Sequence, residues 1–141
     1  MVNSRNINDL HPKVAALCSE MVNRCKNAGI DLLITSTYRD AESQNALYAQ
    51  GRATDGKIVT NAKAGQSYHN WKVAFDVVPL RYGKPVWGTK GDDLKLWEQV
   101  GAIGESLGLE WAWRWTRNKE MAHFQFTDGL KIADFQAGKT L

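Results

Sequence analysis

The chain's 141 residues suit one compact domain, predicted to span 1–141, that can bury a core without disulfide or metal staples. Hydrophobic residues at 43% and charged residues at 23% are ordinary for a globular protein, so a bound metal would serve function rather than folding. A net charge of +3, with no Lys/Arg run or basic stripe, excludes a nucleic-acid footprint but favours approach to an anionic polymer.

The segment 1–13 has no apolar stretch, which argues against a signal peptide, and no run reaches membrane-spanning length. The expectation is a monomer that accumulates in the cytoplasm. Cys18 and Cys25 lie seven positions apart. On a helix that places their Cα atoms about 10 Å apart, too far for a disulfide, so both read as small core residues.

In chain order, the first predicted element is a helix over 12–27. Val14, Leu17, Cys18, Met21, Val22 and Cys25 recur at helical spacing, Pro12 fits the first turn and Gly29 fits the stop. His11, just before it, reads as a surface or capping residue. The run LLITST at 32–37 reads as a strand, and Asp40 caps a helix to about 50. Residues 52–66 form a long loop, of the kind that is often functional. A strand over 73–78 is expected to stop at Pro79. Asp92 or Asp93 is expected to cap a helix to about 107. Short strands follow at 109–111 and 122–126, and a last helix at about 128–137. The fold class is α+β: a small antiparallel sheet with helices packed on one face, its core spanning about 11–126.

Chemistry concentrates around two of the three histidines. His69 lies seven residues before Asp76, and Glu120 lies three before His123. A catalytic zinc site needs three protein ligands and an open position, which His69, Asp76 and His123 could supply, with Glu120 as the base. Asp76 stands in an apolar run, Val73-Ala74-Phe75-Asp76-Val77-Val78, where a carboxylate is costly unless paired or metal-bound. Residues seven apart on a straight strand face opposite sides, so a turn at about 70–72 must separate His69 from Asp76. Glu120 should sit on the loop before the strand of His123. Taken alone, these residues leave open a metal site and a pair of structural, hydrogen-bonded histidines.

Ser67-x-His69-x₆-Asp76 with the later Glu120-x-x-His123 resembles the zinc D-Ala-D-Ala carboxypeptidase and L-alanyl-D-glutamate endopeptidase superfamily, especially its phage endolysins. Ser36-Thr37-Tyr38-Arg39, Gln44, Leu47-Tyr48, Gly51-Arg52 and 107–111 extend the likeness over about 11–125. The resemblance implies a Hedgehog/D-Ala metallopeptidase-like fold and one Zn²⁺ held by His69, Asp76 and His123. It implies Glu120 as the catalytic base and Arg39 as the group that binds a substrate carboxylate or carbonyl. Gln44, Ser67, Trp113 and Trp115 become substrate contacts. The implied substrate is a peptidoglycan stem peptide cut at the L-Ala-D-Glu bond. The implied setting is host lysis, with the protein waiting in the host cytoplasm until released to the wall. A D,D-carboxypeptidase acting on D-Ala-D-Ala and a weakly active or inactive wall-peptide binding module are the alternatives. Two positions depart from the family pattern: Lys72 and Trp113 stand where glycine is usual. By strand alternation Lys72 would lie on the side of Asp76, near the metal, or strain the backbone, and Trp113 would narrow the cleft.

Overall fold

The computed structural model describes residues 1–141. Helix α1 (Pro12–Asn27) has the predicted bounds: His11 Nδ1 accepts from the Lys13 N–H, and Pro12 occupies the first turn. Its stripe of Val14, Cys18, Met21 and Cys25 is fully buried. Strand β1 (Asp31–Ser36) follows, then α2 (Ala41–Ala49), capped by Asp40, whose carboxylate accepts from the Ser43 N–H at 2.8 Å. Residues 52–66 contain no helix or strand. Strand β2 (Ala74–Arg81) is the centre of the sheet, and a tight turn at Tyr82-Gly83 joins it to β3 (Lys84–Pro85). Both turn residues have positive φ (54° and 75°), the conformation a two-residue hairpin requires. Helix α3 (Gly91–Ser106), β4 (Glu110–Trp111), β5 (His123–Gln125) and the short α4 (Ile132–Gln136) complete the chain.

The sheet is antiparallel throughout, in the order β1-β2-β5-β4, with β3 beside the far end of β2. Its register sorts the side chains. Phe75 lies opposite Phe124, which lies opposite Trp111, and the three rings stack across the strands at centroid spacings of 6.1 Å. This face meets α3 through glycine. A Cβ on Gly101 would collide with the Trp111 ring, and one on Gly104 would lie 2.7 Å from Phe124. Helix α1 packs against both β1 and α3. The next register step, Asp76 opposite His123, faces the other way.

Three expectations need correction. Pro79 does not end its strand: it pairs with Leu32, and its carbonyl accepts from the Val86 N–H at 3.0 Å. Carbonyl and nitrogen of one strand residue point the same way, so the missing N–H faces the β3 side, where β5 does not extend, and no bond to β1 is lost. Neither Asp92 nor Asp93 caps α3; Lys90 holds the cap position without a side-chain bond, and both aspartates lie in the first turn, where they favour the helix dipole. The tail helix covers only Ile132–Gln136, since 127–130 form a turn, closed by the Leu130 N–H donating to the Thr127 carbonyl, with Asp128 and Gly129 at positive φ. Residues before 11 also belong to the packed unit: Asn3 bridges to Arg39 and Leu10 is buried.

The glycine contact gives a test of the packing. Gly101→Ala improves helix propensity, yet its methyl collides with Trp111, so it should lower stability by about 1–3 kcal/mol. Urea unfolding measures this, and a more stable variant would contradict the seating of α3 on the aromatic stack.

Candidate metal centre

His69, Asp76 and His123 come together from three pieces of chain. His69 sits in a 3-10 turn, Tyr68–Trp71, whose entry is capped by Ser67: its hydroxyl accepts from the His69 N–H at 3.3 Å. Asn70 braces the same turn, accepting from the Ser67 N–H and donating its amide to the Arg39 carbonyl at 2.9 Å. Lys72, at φ 65°, reverses the chain into β2. Asp76 follows on β2, opposite His123 on β5 on one side and Ser36 on the other. A register shift between Ile34 and Ser36 brings Ser36 to that position, a bulge that re-aims side chains beside a site.

The ring nitrogens have assigned tasks. His69 Nδ1–H donates to the Thr37 carbonyl at 2.8 Å, an acceptor that fixes the tautomer. Its Nε2 lies 3.2 Å from Asp76 Oδ1. His123 Nε2–H donates to Gln125 Oε1 at 2.8 Å, while Nδ1 lies 3.2 Å from the same Asp76 oxygen. The Gln125 amide is oriented by donating to Glu110 Oε2, which also accepts from Trp115 Nε1 at 2.8 Å. Both inward imidazole nitrogens therefore present lone pairs to a carboxylate oxygen. Such an array of acceptors, with ligand atoms within 4.8 Å of one another, is stable only around a cation: protons on the rings or a metal ion.

The electrostatics point the same way. Burial disfavours charge on Asp76, but the facing His69 and His123 outweigh it and hold the carboxyl far below the ordinary range. Burial lowers the His123 pKa, and Asp76 more than reverses that, so the ring attracts a positive charge. Glu120 stands on the turn before β5, 3.7 Å from His123 Nδ1. Half its side chain meets solvent, yet burial of the carboxyl and the nearby Asp76 push its pKa up against the pull of His123. Arg39 follows β1 and donates from Nη1 to Gln44 Oε1 at 2.9 Å and from Nη2 to Ser36 Oγ at 3.3 Å.

These groups line an open cleft of about 640 Å³, bordered by residues 58–62 and 118–120. Asn61 donates to Asn118 Oδ1 at 3.3 Å and ties those two segments together. Residues 7–127 match the family described as VanY, D-alanyl-D-alanine carboxypeptidase. The chain belongs to the VanY family. Among VanY-like proteins it is 36% identical over 122 residues to the peptidoglycan L-alanyl-D-glutamate endopeptidase CwlK of Bacillus subtilis (strain 168), covering 83% of this chain and 73% of CwlK. It is 30% identical over 122 residues to the L-alanyl-D-glutamate peptidase of Listeria phage A118, covering 86% of this chain but only 39% of that protein. The crystal structure of Serratia marcescens L-Ala D-Glu endopeptidase ChiX superposes with a TM-score of 0.62 at 18% identity, covering 89% of each chain, a likeness of fold.

In this VanY-family chain the six groups Arg39, Ser67, His69, Asp76, Glu120 and His123 share the cleft, and Trp115 joins them with its ring 5.5 Å from His123. The turn between His69 and Asp76 and the loop position of Glu120 match the expectations from spacing. Two predicted contacts lie elsewhere. Gln44 is fully buried behind Arg39. Trp113 lies outside the cleft lining, packed on the core with Lys119 Nζ 4.2 Å above its ring. Lys72 departs from its expected place near the metal: it precedes β2 rather than lying on it, so alternation does not apply, and Nζ sits 4.9 Å over the Tyr38 ring. Its left-handed backbone is the conformation that favours glycine. Thr37 and Gln125 were missed as supports of the histidines. The Thr37 contact is a carbonyl and leaves no mark in sequence, whereas the His123-x-Gln125 alternation could have revealed the second.

Because Lys72 and Trp113 stay out of the cleft, Lys72→Gly combined with Trp113→Gly should leave kcat/KM for a wall peptide within about threefold. A rise of tenfold or more would show that one of them obstructs substrate.

Proposed function

We propose that this chain is a zinc-dependent peptidase that hydrolyses the L-alanyl-D-glutamate bond in peptidoglycan stem peptides. The observation that carries the reading is the meeting of two imidazole lone pairs and one carboxylate in an open cleft, with Glu120 alongside. The names of the CwlK and phage relatives support the choice of bond. Two nitrogens and one carboxylate oxygen suit zinc and leave a coordination position for catalysis. Zinc, when bound there, supplies a Lewis acid that makes water a nucleophile near neutral pH and polarises the scissile carbonyl.

The protein's own groups do the rest. Glu120 accepts the proton of the attacking water and passes it to the leaving amine nitrogen. Its raised pKa suits a group that must both take and return a proton. Arg39 presents its guanidinium to the carbonyl oxygen as negative charge develops, or to a substrate carboxylate. Ser67 and Trp115 border the bound peptide. The hydrogen-bonded series His123-Gln125-Glu110 keeps one ligand ring from rotating. No helix is long and apolar enough to cross a membrane. The reading extends to a monomeric, single-domain lysin over residues 1–141 that reaches the wall after release from the host cytoplasm. The description of the matched family favours one second reading, removal of terminal D-alanine from D-Ala-D-Ala.

Digestion of purified peptidoglycan with mass analysis of the fragments separates these readings. New N-terminal D-glutamate is the expected product; free D-alanine instead would establish the second reading, and binding without hydrolysis would leave a wall-peptide module. Glu120→Gln should cut turnover by about 10²–10⁴-fold while zinc is retained. In the parent protein kcat/KM should rise with pH through the limb in which Glu120 ionises, because only ionised Glu120 takes a proton, and that limb should be lost in the variant. Wild-type turnover in the variant would remove Glu120 from this role.

A further inference from the structure

The fully buried Gln44 is a polar side chain with two specific bonds and no access to substrate. Its Oε1 accepts from Arg39 Nη1 at 2.9 Å, and its Nε2 donates to the Ala62 carbonyl at 2.7 Å. Ala62 belongs to the loop segment that borders the cleft. The other side-chain partner of the guanidinium is the Ser36 hydroxyl, also neutral, and Ser36 Oγ in turn donates to Asn3 Oδ1 at 3.3 Å. No ion pair ties Arg39 to a carboxylate, although acids elsewhere in the fold pair with arginines, as Asp93 does with Arg81 at 2.6 Å. A carboxylate in the place of the Gln44 amide would fix the guanidinium equally well, but it would also cancel the charge. An amide fixes position and leaves the charge available.

We propose that Gln44 is a positioning residue that holds Arg39 with a neutral acceptor, ties it to the cleft wall at Ala62, and thereby makes the enzyme select peptides with a free carboxylate beside the scissile bond. This rests on the peptidase reading and deepens it by naming the substrate class: acidic rather than amidated stem peptides. Gln44 touches no reacting atom. Its effect passes through Arg39, so it should appear in KM and in discrimination between substrates rather than in proton transfer.

The test compares two synthetic stem peptides that differ only in whether the glutamate carboxylate beside the cut is free or amidated. They are offered to the zinc-loaded wild type, Gln44→Glu, Gln44→Met and Arg39→Ala. Wild type should prefer the free acid by about tenfold or more in kcat/KM. Gln44→Glu should abolish that preference by raising KM for the free acid to that for the amide, with zinc content unchanged. Gln44→Met fills the same buried volume without either bond. It should raise KM for both peptides yet keep the preference, because the charge of Arg39 remains; it also serves if the glutamate variant does not fold. Gln44→Glu with the wild-type preference, or Gln44→Met with wild-type KM, overturns the inference while Arg39→Ala still loses selectivity. Equal preference in wild type and Arg39→Ala overturns both this inference and the carboxylate role of Arg39. Failure of the wild type to cut either peptide overturns the peptidase reading itself.

Discussion

The register between β2 and β5 is the constraint on which the site depends. Phe75, Phe124 and Trp111 stack across three strands on the face covered by α3, and Gly101 and Gly104 let that helix come close enough to hold them. With Phe75 opposite Phe124, the next pair must be Asp76 opposite His123, on the other face. A slip by one residue would send Asp76 into the aromatic core and His123 away from it. Hydrophobic packing on one side of the sheet therefore sets the geometry of the candidate metal ligands on the other.

What the register brings together is unstable by itself. Thr37 and Gln125 each take the outer N–H of a histidine, which turns both inner nitrogens into acceptors aimed at one carboxylate oxygen. The cluster has acceptors and no donor unless a cation enters. This requirement connects the fold to the chemistry: the groups that orient the rings also create the demand for a cation. Arg39 is arranged by the opposite device: its hydrogen-bond partners are neutral, and the acids Asp76 and Glu120 act on its charge only through space across the same cleft.

Much of this was legible in the sequence where local rules govern. The His11-Pro12 start and the Val14-Cys18-Met21-Cys25 stripe define α1 to the residue. The odd spacing from His69 to Asp76 required a turn, and Lys72 at φ 65° makes it. Asp76 in an apolar run was the clearest single mark of the site. The remainder depended on contacts that sequence does not encode locally. Pro79 continues its strand because its nitrogen faces a place with no β5 partner. Gln44 carried the resemblance but not its role, because only packing shows that Arg39 and Ala62 enclose it. Trp113 and Trp115 look alike in the run Trp111-Ala112-Trp113-Arg114-Trp115, and a short 3-10 turn at Ala112–Arg114 directs one to the core and the other to the cleft.

We propose that His69, Asp76 and His123 together hold one metal ion. Elemental analysis of the purified protein alongside His69→Ala, Asp76→Ala and His123→Ala tests it most directly, with circular dichroism confirming that each variant is folded. One zinc per chain in the parent and substoichiometric zinc in every folded variant is the predicted result. A parent protein without stoichiometric metal, or a variant that keeps a full equivalent, would contradict it.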